Sequence, residues 1–131
     1  MSGTSVRHKR ILLVDDNFVT QDVLSLALAA DGYMVAVAAN GQDAFVRLQS
    51  CEPVDLILLD LSMPVMDGRR FREAQKTLPH LCGIPIIVFS ASDQAEGVAA
   101  ELGAVGCLRK PVATVDLLET VRRCLEPTGA E

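Results

Sequence analysis

The chain has no surplus of positive charge. Twelve Lys and Arg stand against 17 Asp and Glu in 131 residues, a formal net charge of −5. That argues against a protein drawn electrostatically to nucleic acid or to an acidic membrane. No two of Cys51, Cys82, Cys107 and Cys124 form a C-x-x-C pair, and there are only two histidines, His8 and His80, which disfavours zinc and a redox pair. Both histidines are read as surface residues, and the cysteines as four free thiols in a reducing compartment. Ile11-Leu12-Leu13-Val14 is too short for a signal-peptide core. No apolar run approaches the ~18 residues of a membrane span. The expectation is a cytoplasmic protein that neither enters a membrane nor binds nucleic acid directly. Aromatics are scarce at 4%, with Tyr33 the only tyrosine. No linker, low-complexity segment or Gly-rich phosphate loop stands out.

What the chain does have is a regular alternation. Half of it is hydrophobic and 22% is charged, the composition of one folded domain with a full core. Short apolar runs at Ile11–Val14, Met34–Ala38, Val54–Leu59, Pro85–Phe89 and Val105–Leu108 read as strands. Between them lie helical stretches. Asn17 to Ala30 carries Val19, Val23, Leu26, Ala27 and Ala30 at helical spacing and stops at Asp31-Gly32. Asn40 caps a helix through Gln49, and Asp67 to Leu78 forms another, ended before Pro79. Ser92 or Asp93 caps a helix reaching about Leu102, with Gly103 as its stop. Thr114 caps a last one carrying Val115, Leu118, Val121, Arg122 and Leu125. Strands apolar on both faces belong to a parallel sheet covered by helices on both sides. The expectation is a (βα)5 doubly wound α/β domain over residues 10–125 with strand order 2-1-3-4-5 and loose ends at 1–9 and 126–131.

In a parallel sheet every strand's C-terminal end lies on one edge. The strands end at Asp15-Asp16, Ala39, Asp60, Ser90 and Arg109-Lys110-Pro111. With strands 1 and 3 adjacent at the switch point, three carboxylates, a hydroxyl and a lysine converge on one crevice. Close carboxylates raise one another's pKa unless a cation intervenes. An all-oxygen donor set favours Mg²⁺, with Mn²⁺ as the other choice, over zinc. A carboxylate held there can attack phosphorus and form an aspartyl phosphate. Lys110 supplies a positive charge for the phosphoryl oxygens and Ser90 a hydroxyl. The small residues Ser62 and Ala91 leave backbone groups approachable.

The segments VDD (14–16), DLSMPVMDG (60–68), VFSA (88–91) and KP (110–111) resemble the receiver domain of two-component response regulators, over about residues 10–125. The resemblance implies a flavodoxin-like fold and phosphotransfer from a histidine kinase or histidine phosphotransfer protein, read out by a downstream protein target. It makes Asp60 the phospho-acceptor, Asp16 a direct Mg²⁺ ligand, Asp15 a ligand through the metal's water shell and Ser62 a ligand through its backbone carbonyl. Ser90 becomes the switch hydroxyl and Lys110 the phosphoryl-binding lysine, with Lys110–Pro111 at a position that is cis in the family. Such a domain catalyses its own phosphorylation and dephosphorylation and is a switch, not a metabolic enzyme.

One departure matters. Cys107 stands where the family usually has Tyr or Phe, and a cysteine is too small to follow the Ser90 hydroxyl inward. Phe89 is expected on the opposite face of its strand. Either the switch is modified or weakened, or Cys107 is a plain core residue and output leaves elsewhere, through the first helix for instance. That helix has few polar residues (Gln21, Asp22, Ser25), with Leu24 and Leu28 off the main stripe. It is either broadly buried or an apolar strip for a kinase's helices. Ser62 and Ser92, small hydroxyls two residues past Asp60 and Ser90, leave the phosphoryl lifetime open. The basic groups Arg7, Lys9, Arg10 and Arg69, Arg70, Arg72, Lys76 read as solvated faces or docking patches.

Six residues remain after Leu125, so no DNA-binding element is expected there. The chain is a stand-alone receiver or a module of a larger regulator or hybrid kinase. Three other readings are weaker. A phosphatase with an aspartyl nucleophile would carry D-x-D, but Ser62 holds the second position. A nucleotide or flavin binder would not place Asp15-Asp16 where phosphates sit. A receiver that binds partners without phosphorylation would not need the complete acid set.

Overall fold

A computed structural model describes residues 9–49, 53–61, 68–78 and 83–125. The strands are β1 (Arg10–Val14), β2 (Met34–Ala38), β3 (Leu56–Asp60), β4 (Ile86–Ser90) and β5 (Gly106–Arg109). The helices are α1 (Phe18–Ala30), α2 (Gly41–Leu48), α3 (Gly68–Lys76), α4 (Ala95–Leu102) and α5 (Thr114–Leu125). All strand pairs are parallel, and the order is β2-β1-β3-β4-β5, the doubly wound flavodoxin-like arrangement expected.

Alternation along the strands builds two cores, one on each side of the sheet. Leu12, Val14, Ile57, Leu59, Ile86 and Val88 face one way, against Ala44, Leu48, Phe71, Ala99 and Leu102 of α2, α3 and α4. Ile11, Leu13, Leu56, Leu58, Ile87, Phe89 and Leu108 face the other way, against Leu24, Leu28, Leu117 and Val121 of α1 and α5. Each fully buried branched side chain contributes roughly 1.5–3 kcal/mol. Phe89 thus lies on the α1/α5 side, opposite to where alternation points its neighbour Ser90.

Local signals set most helix ends. Asn17 and Asn40 accept from the Thr20 and Asp43 amides at 2.9 and 2.8 Å, each capping its helix. Gly103 closes α4 with φ 73°, a left-handed conformation for which glycine is suited. Elsewhere the expected details are displaced. β3 and β4 extend to Asp60 and Ser90, because the ladder continues past the apolar run and Leu61 N–H still donates to Phe89 O at 3.2 Å. Ser92 does not cap α4; its hydroxyl accepts the Gln94 amide at 3.0 Å and the helix begins at Ala95.

The stripe expected to bury α1 is wrong. Val19 and Leu26 are 71% and 72% exposed and Val23 is 49% exposed, whereas Gln21, Leu24 and Leu28 are buried. α1 is apolar nearly all round, so periodicity alone does not select its inner face. In α5, Val115 is exposed and Leu117 and Val121 are buried. Arg72, grouped above with solvated cations, is buried. Among the described residues Cys107 and Cys124 are free thiols, and no helix is long and apolar enough to cross a membrane. Arg7, His8, Cys51, Ser62, Asp67, His80, Cys82 and residues 126–131 lie outside the described residues, as does the side chain of Arg69.

Candidate functional site

Four parallel strands deliver the site, with β4 ending on Ser90. β1 ends at Val14, and Asp15 follows while its amide still donates to Ala38 O of β2 at 3.0 Å. β3 ends on Asp60 itself, and β5 leads through Arg109 to Lys110, whose amide donates to Ser90 O at 3.0 Å. Asp15, Asp60 and Ser90 are buried, Asp16 is exposed, and Lys110 is partly exposed. The structure therefore brings together five of the six residues singled out for chemistry. The sixth, Ser62, is the one outside the described residues.

Carboxylate oxygens of Asp15, Asp16 and Asp60 lie within 4.8 Å of one another. Lys110 Nζ is 3.1 Å from Asp60 Oδ2 and 3.4 Å from Asp15 Oδ2. Burial works against the Lys110 ammonium, but Asp60 and then Asp15 outweigh it and hold its pKa above the usual lysine value. Lys110 also sits over the Phe89 ring, 5.2 Å from its centroid. Asp15 has its pKa raised, first by burial and further by Asp60, against the Asn17 amide that donates to Oδ1 at 2.9 Å. Its other oxygen, Oδ2, is buried and accepts no hydrogen bond among the described residues. A buried carboxylate oxygen met by one partly exposed ammonium at 3.4 Å, beside two more carboxylates and no nitrogen or sulfur ligand, fits a hard divalent cation.

Reading the sequence for chemistry missed the second layer. Gln21 of α1 is buried and its side-chain amide donates to the Asp15 backbone carbonyl, fixing the strand-end turn. Its spacing with Leu24 and Leu28 is the signal that places it inward. Ser90 Oγ accepts the Ser92 amide at 3.0 Å, so the hydroxyl is tied to the loop leading into α4. Lys110–Pro111 is cis. Cys107 lies on β5 opposite Val88 and packs at the edge of the α2/α3/α4 core. Burial first, then Glu96, raises its thiol pKa, so at neutral pH it is protonated. It lines a groove of about 470 Å³ with Val105, Gly106, Thr120, Arg123 and Cys124.

A second groove, about 460 Å³, opens beside the site between α1 and the loop after β5. Val19, Val23, Leu24, Lys110, Pro111 and Val112 are among its lining residues. Phe18 and Leu26, both 72% exposed, extend the apolar character of α1 beyond it.

Residues 11–122 match the response regulator receiver domain family. The transcriptional regulatory protein GlrR of Escherichia coli is 37% identical over 122 residues, 91% of this chain and 27% of that protein. The chain spans about a quarter to a half of the length of the curated relatives it matches. Among solved structures, the chemotaxis protein CheY4 of Vibrio cholerae superposes with a TM-score of 0.83 at 31% identity, covering 91% of this chain and 100% of that one. The signal receiver domain of a signal transduction histidine kinase from Syntrophus aciditrophicus gives a TM-score of 0.80 at 34% identity, covering 94% of each.

Proposed function

The chain belongs to the response regulator receiver domain family, and from that premise we propose that Asp60 takes a phosphoryl group from a phosphohistidine of a histidine kinase or phosphotransfer protein. The observation that carries this reading is the juxtaposition of buried Asp60 with Lys110 Nζ at 3.1 Å and with two further carboxylates. Residues 10–125 are taken as the functional unit.

An Asp60 carboxylate oxygen attacks phosphorus. The new P–O bond replaces the P–N bond of the donor, and the departing imidazole takes up a proton. Lys110, held charged by Asp60 and Asp15, then follows the negative charge from the carboxylate to the phosphoryl oxygens. Ser90 is within the same edge of the sheet and its hydroxyl is the donor expected to turn toward the phosphoryl group. Asp15, Asp16 and Asp60, with the Ser62 backbone carbonyl, would hold Mg²⁺, which neutralises charge building up on the phosphoryl oxygens. The domain thereby catalyses its own phosphorylation and hydrolysis.

The apolar face of α1 is the docking surface for the donor. Phe18, Val19, Val23 and Leu26 are exposed, and Val19 and Val23 line a groove that Lys110 also lines. A helical bundle seated there brings its histidine to Asp60. Cys107 modifies the output: with a thiol in place of an aromatic ring, movement of Ser90 is reported by the β4–α4 loop alone. Because the matched relatives are longer, this receiver also reads naturally as one module of a larger regulator.

The test is incubation with acetyl phosphate and Mg²⁺ followed by intact mass. One added phosphoryl group is expected, absent without Mg²⁺ and absent in Asp60→Asn. A phosphoryl group retained in Asp60→Asn overturns the assignment.

A further inference from the structure

The two ends of α4 are held in different ways. At its C-terminal end, Arg72 of α3 reaches across: Nε donates to Leu102 O at 2.8 Å and Nη2 to Gly103 O at 3.4 Å. Nη1 donates to Gln75 Oε1 at 2.8 Å, and Gln75 Nε2 donates in turn to Ile84 O at 3.3 Å. Arg72 and Gln75 are 9% and 0% exposed. The guanidinium satisfies carbonyls that a helix C-terminus leaves without partners and sets a positive charge against the negative end of the dipole. The guanidinium lies against the helix end, where a Cβ on Gly103 would meet Arg72 Nη2 at an ordinary contact distance of 3.6 Å. The carbonyls gripped lie just before β4 and β5, the strands that carry Ser90 and lead to Lys110.

Among the described residues no buried side chain grips the N-terminal end in this way. No side chain caps α4 at Gln94. The loop ahead of it is tied to β5 by Arg109 Nη2 to Asp93 Oδ1 at 2.8 Å, between side chains 50% and 93% exposed. A hydrogen bond to a buried charged group contributes several times what an exposed ion pair does, and the exposed pair is screened by salt. α4 has only eight residues, Gly97 among them, so little intrinsic helix propensity resists movement of this end.

We propose that Arg72 and Gln75 form a clasp that makes the C-terminal end of α4 a fixed pivot, leaving the end next to Ser90 as the moving one, latched by Arg109–Asp93. Displacement of the Ser90–Asp93 loop then swings α4 about Leu102–Gly103, and β5 is not dragged with it. The clasp goes beyond the phosphorylation reading and holds whether or not Asp60 is modified.

Amide hydrogen exchange of the full chain, read by NMR, tests it in the wild type and in Arg72→Met, Arg72→Lys and Arg109→Ala, at low and high salt. The reporters are the Gly103, Ala104 and Val105 amides, bonded to Ala100, Ala99 and Ile86 carbonyls, against those of Ala95 and Val98, bonded to Ser92 and Gln94 carbonyls. Arg72→Met and Arg72→Lys, which lose the fork, should speed exchange at Gly103–Val105 by about tenfold or more and leave Ala95 less affected. Arg109→Ala and high salt should speed Ala95 and Val98 only. If Arg72→Met does not fold, the wild-type salt comparison and Arg72→Lys carry the test. Equal acceleration at both ends in every case, or none at Gly103–Val105 in Arg72→Lys, overturns the pivot. Adding beryllofluoride with Mg²⁺ should alter exchange at Ala95 and Val98 first. Failure of that mimic to bind would count against phosphorylation at Asp60 and leave the clasp standing.

Discussion

Asp15→Asn is expected to stabilise the metal-free protein while abolishing its response to Mg²⁺. Asp15 is fully buried, and its Oδ2 accepts no hydrogen bond among the described residues. Burial and Asp60 raise its pKa above 3.8 in spite of the Asn17 amide and Lys110. A carboxylate with a raised folded-state pKa binds its proton more tightly folded than unfolded. Its charge therefore weakens the fold as pH rises from the unfolded value, 3.8, through the folded one, and the full penalty applies above that. Three carboxylates share the one Lys110 ammonium, and a buried polar group left under-satisfied costs about 1–3 kcal/mol. Asparagine keeps an oxygen for the Asn17 amide and carries no charge, although its NH₂ then faces Lys110, so a gain of about 1 kcal/mol is the expectation, or roughly 3–6 °C in Tm for a domain of this size. The assay is thermal unfolding by circular dichroism with EDTA and with Mg²⁺, across pH. Wild type should gain about 2.7 kcal/mol when Mg²⁺ reaches a hundred times its Kd, and Asp15→Asn should not respond. The difference between the two metal-free proteins should shrink as pH falls toward the unfolded value of 3.8. An Asp15→Asn protein less stable than wild type in EDTA at neutral pH would refute the argument that the site carries more negative charge than Lys110 offsets.

Lys110→Met should destabilise the metal-free protein by about 1–3 kcal/mol at neutral pH, discounted for the partial exposure of the ammonium. Because the folded lysine pKa is raised, this stabilisation is complete below 10.5 and is lost as pH rises through the folded value, which urea unfolding at several alkaline pH values would show. The same variant should take up phosphoryl groups from acetyl phosphate at least about a hundredfold more slowly, measured by intact mass over time. Gly103→Ala should cost about 1–2 kcal/mol in chemical denaturation, from the left-handed backbone and not from crowding, since the nearest group is an ordinary contact away. Beryllofluoride with Mg²⁺ should shift NMR resonances of the Ser90–Ala95 segment while leaving those of Gly106–Leu108 within a small fraction of their starting values. A full rearrangement of α4 and β5 together would remove the case for a modified switch at Cys107.

Much of the site was legible because strand ends are legible. A run apolar on both faces that stops at a carboxylate states both that the strand is covered on two sides and that its end is not. Asn17, Asn40 and Gly103 likewise announce helix ends through chemistry confined to a few neighbouring residues. The inner face of α1 was misread because Phe18, Val19, Val23, Leu24, Leu26 and Leu28 spread apolar surface around the helix, and only the sheet beneath selects Leu24 and Leu28. Arg72 was misread for the opposite reason. In a run of basic residues it looks solvated, and nothing nearby in sequence reveals that carbonyls thirty positions away, at Leu102 and Gly103, receive its guanidinium.

Asp60 shows where the division falls. The sequence by itself determined the alternation, the parallel sheet and the gathering of Asp15, Asp16, Asp60, Ser90 and Lys110 on one edge, since these follow from local patterning and the handedness of crossovers. Only the tertiary structure decided that Lys110 reaches both buried carboxylates, that three carboxylates share that one ammonium, and that α4 is gripped at one end. Those are distances between groups as far apart in the chain as Asp15 and Lys110. They depend on how helices and strands seat against one another, which no short segment encodes.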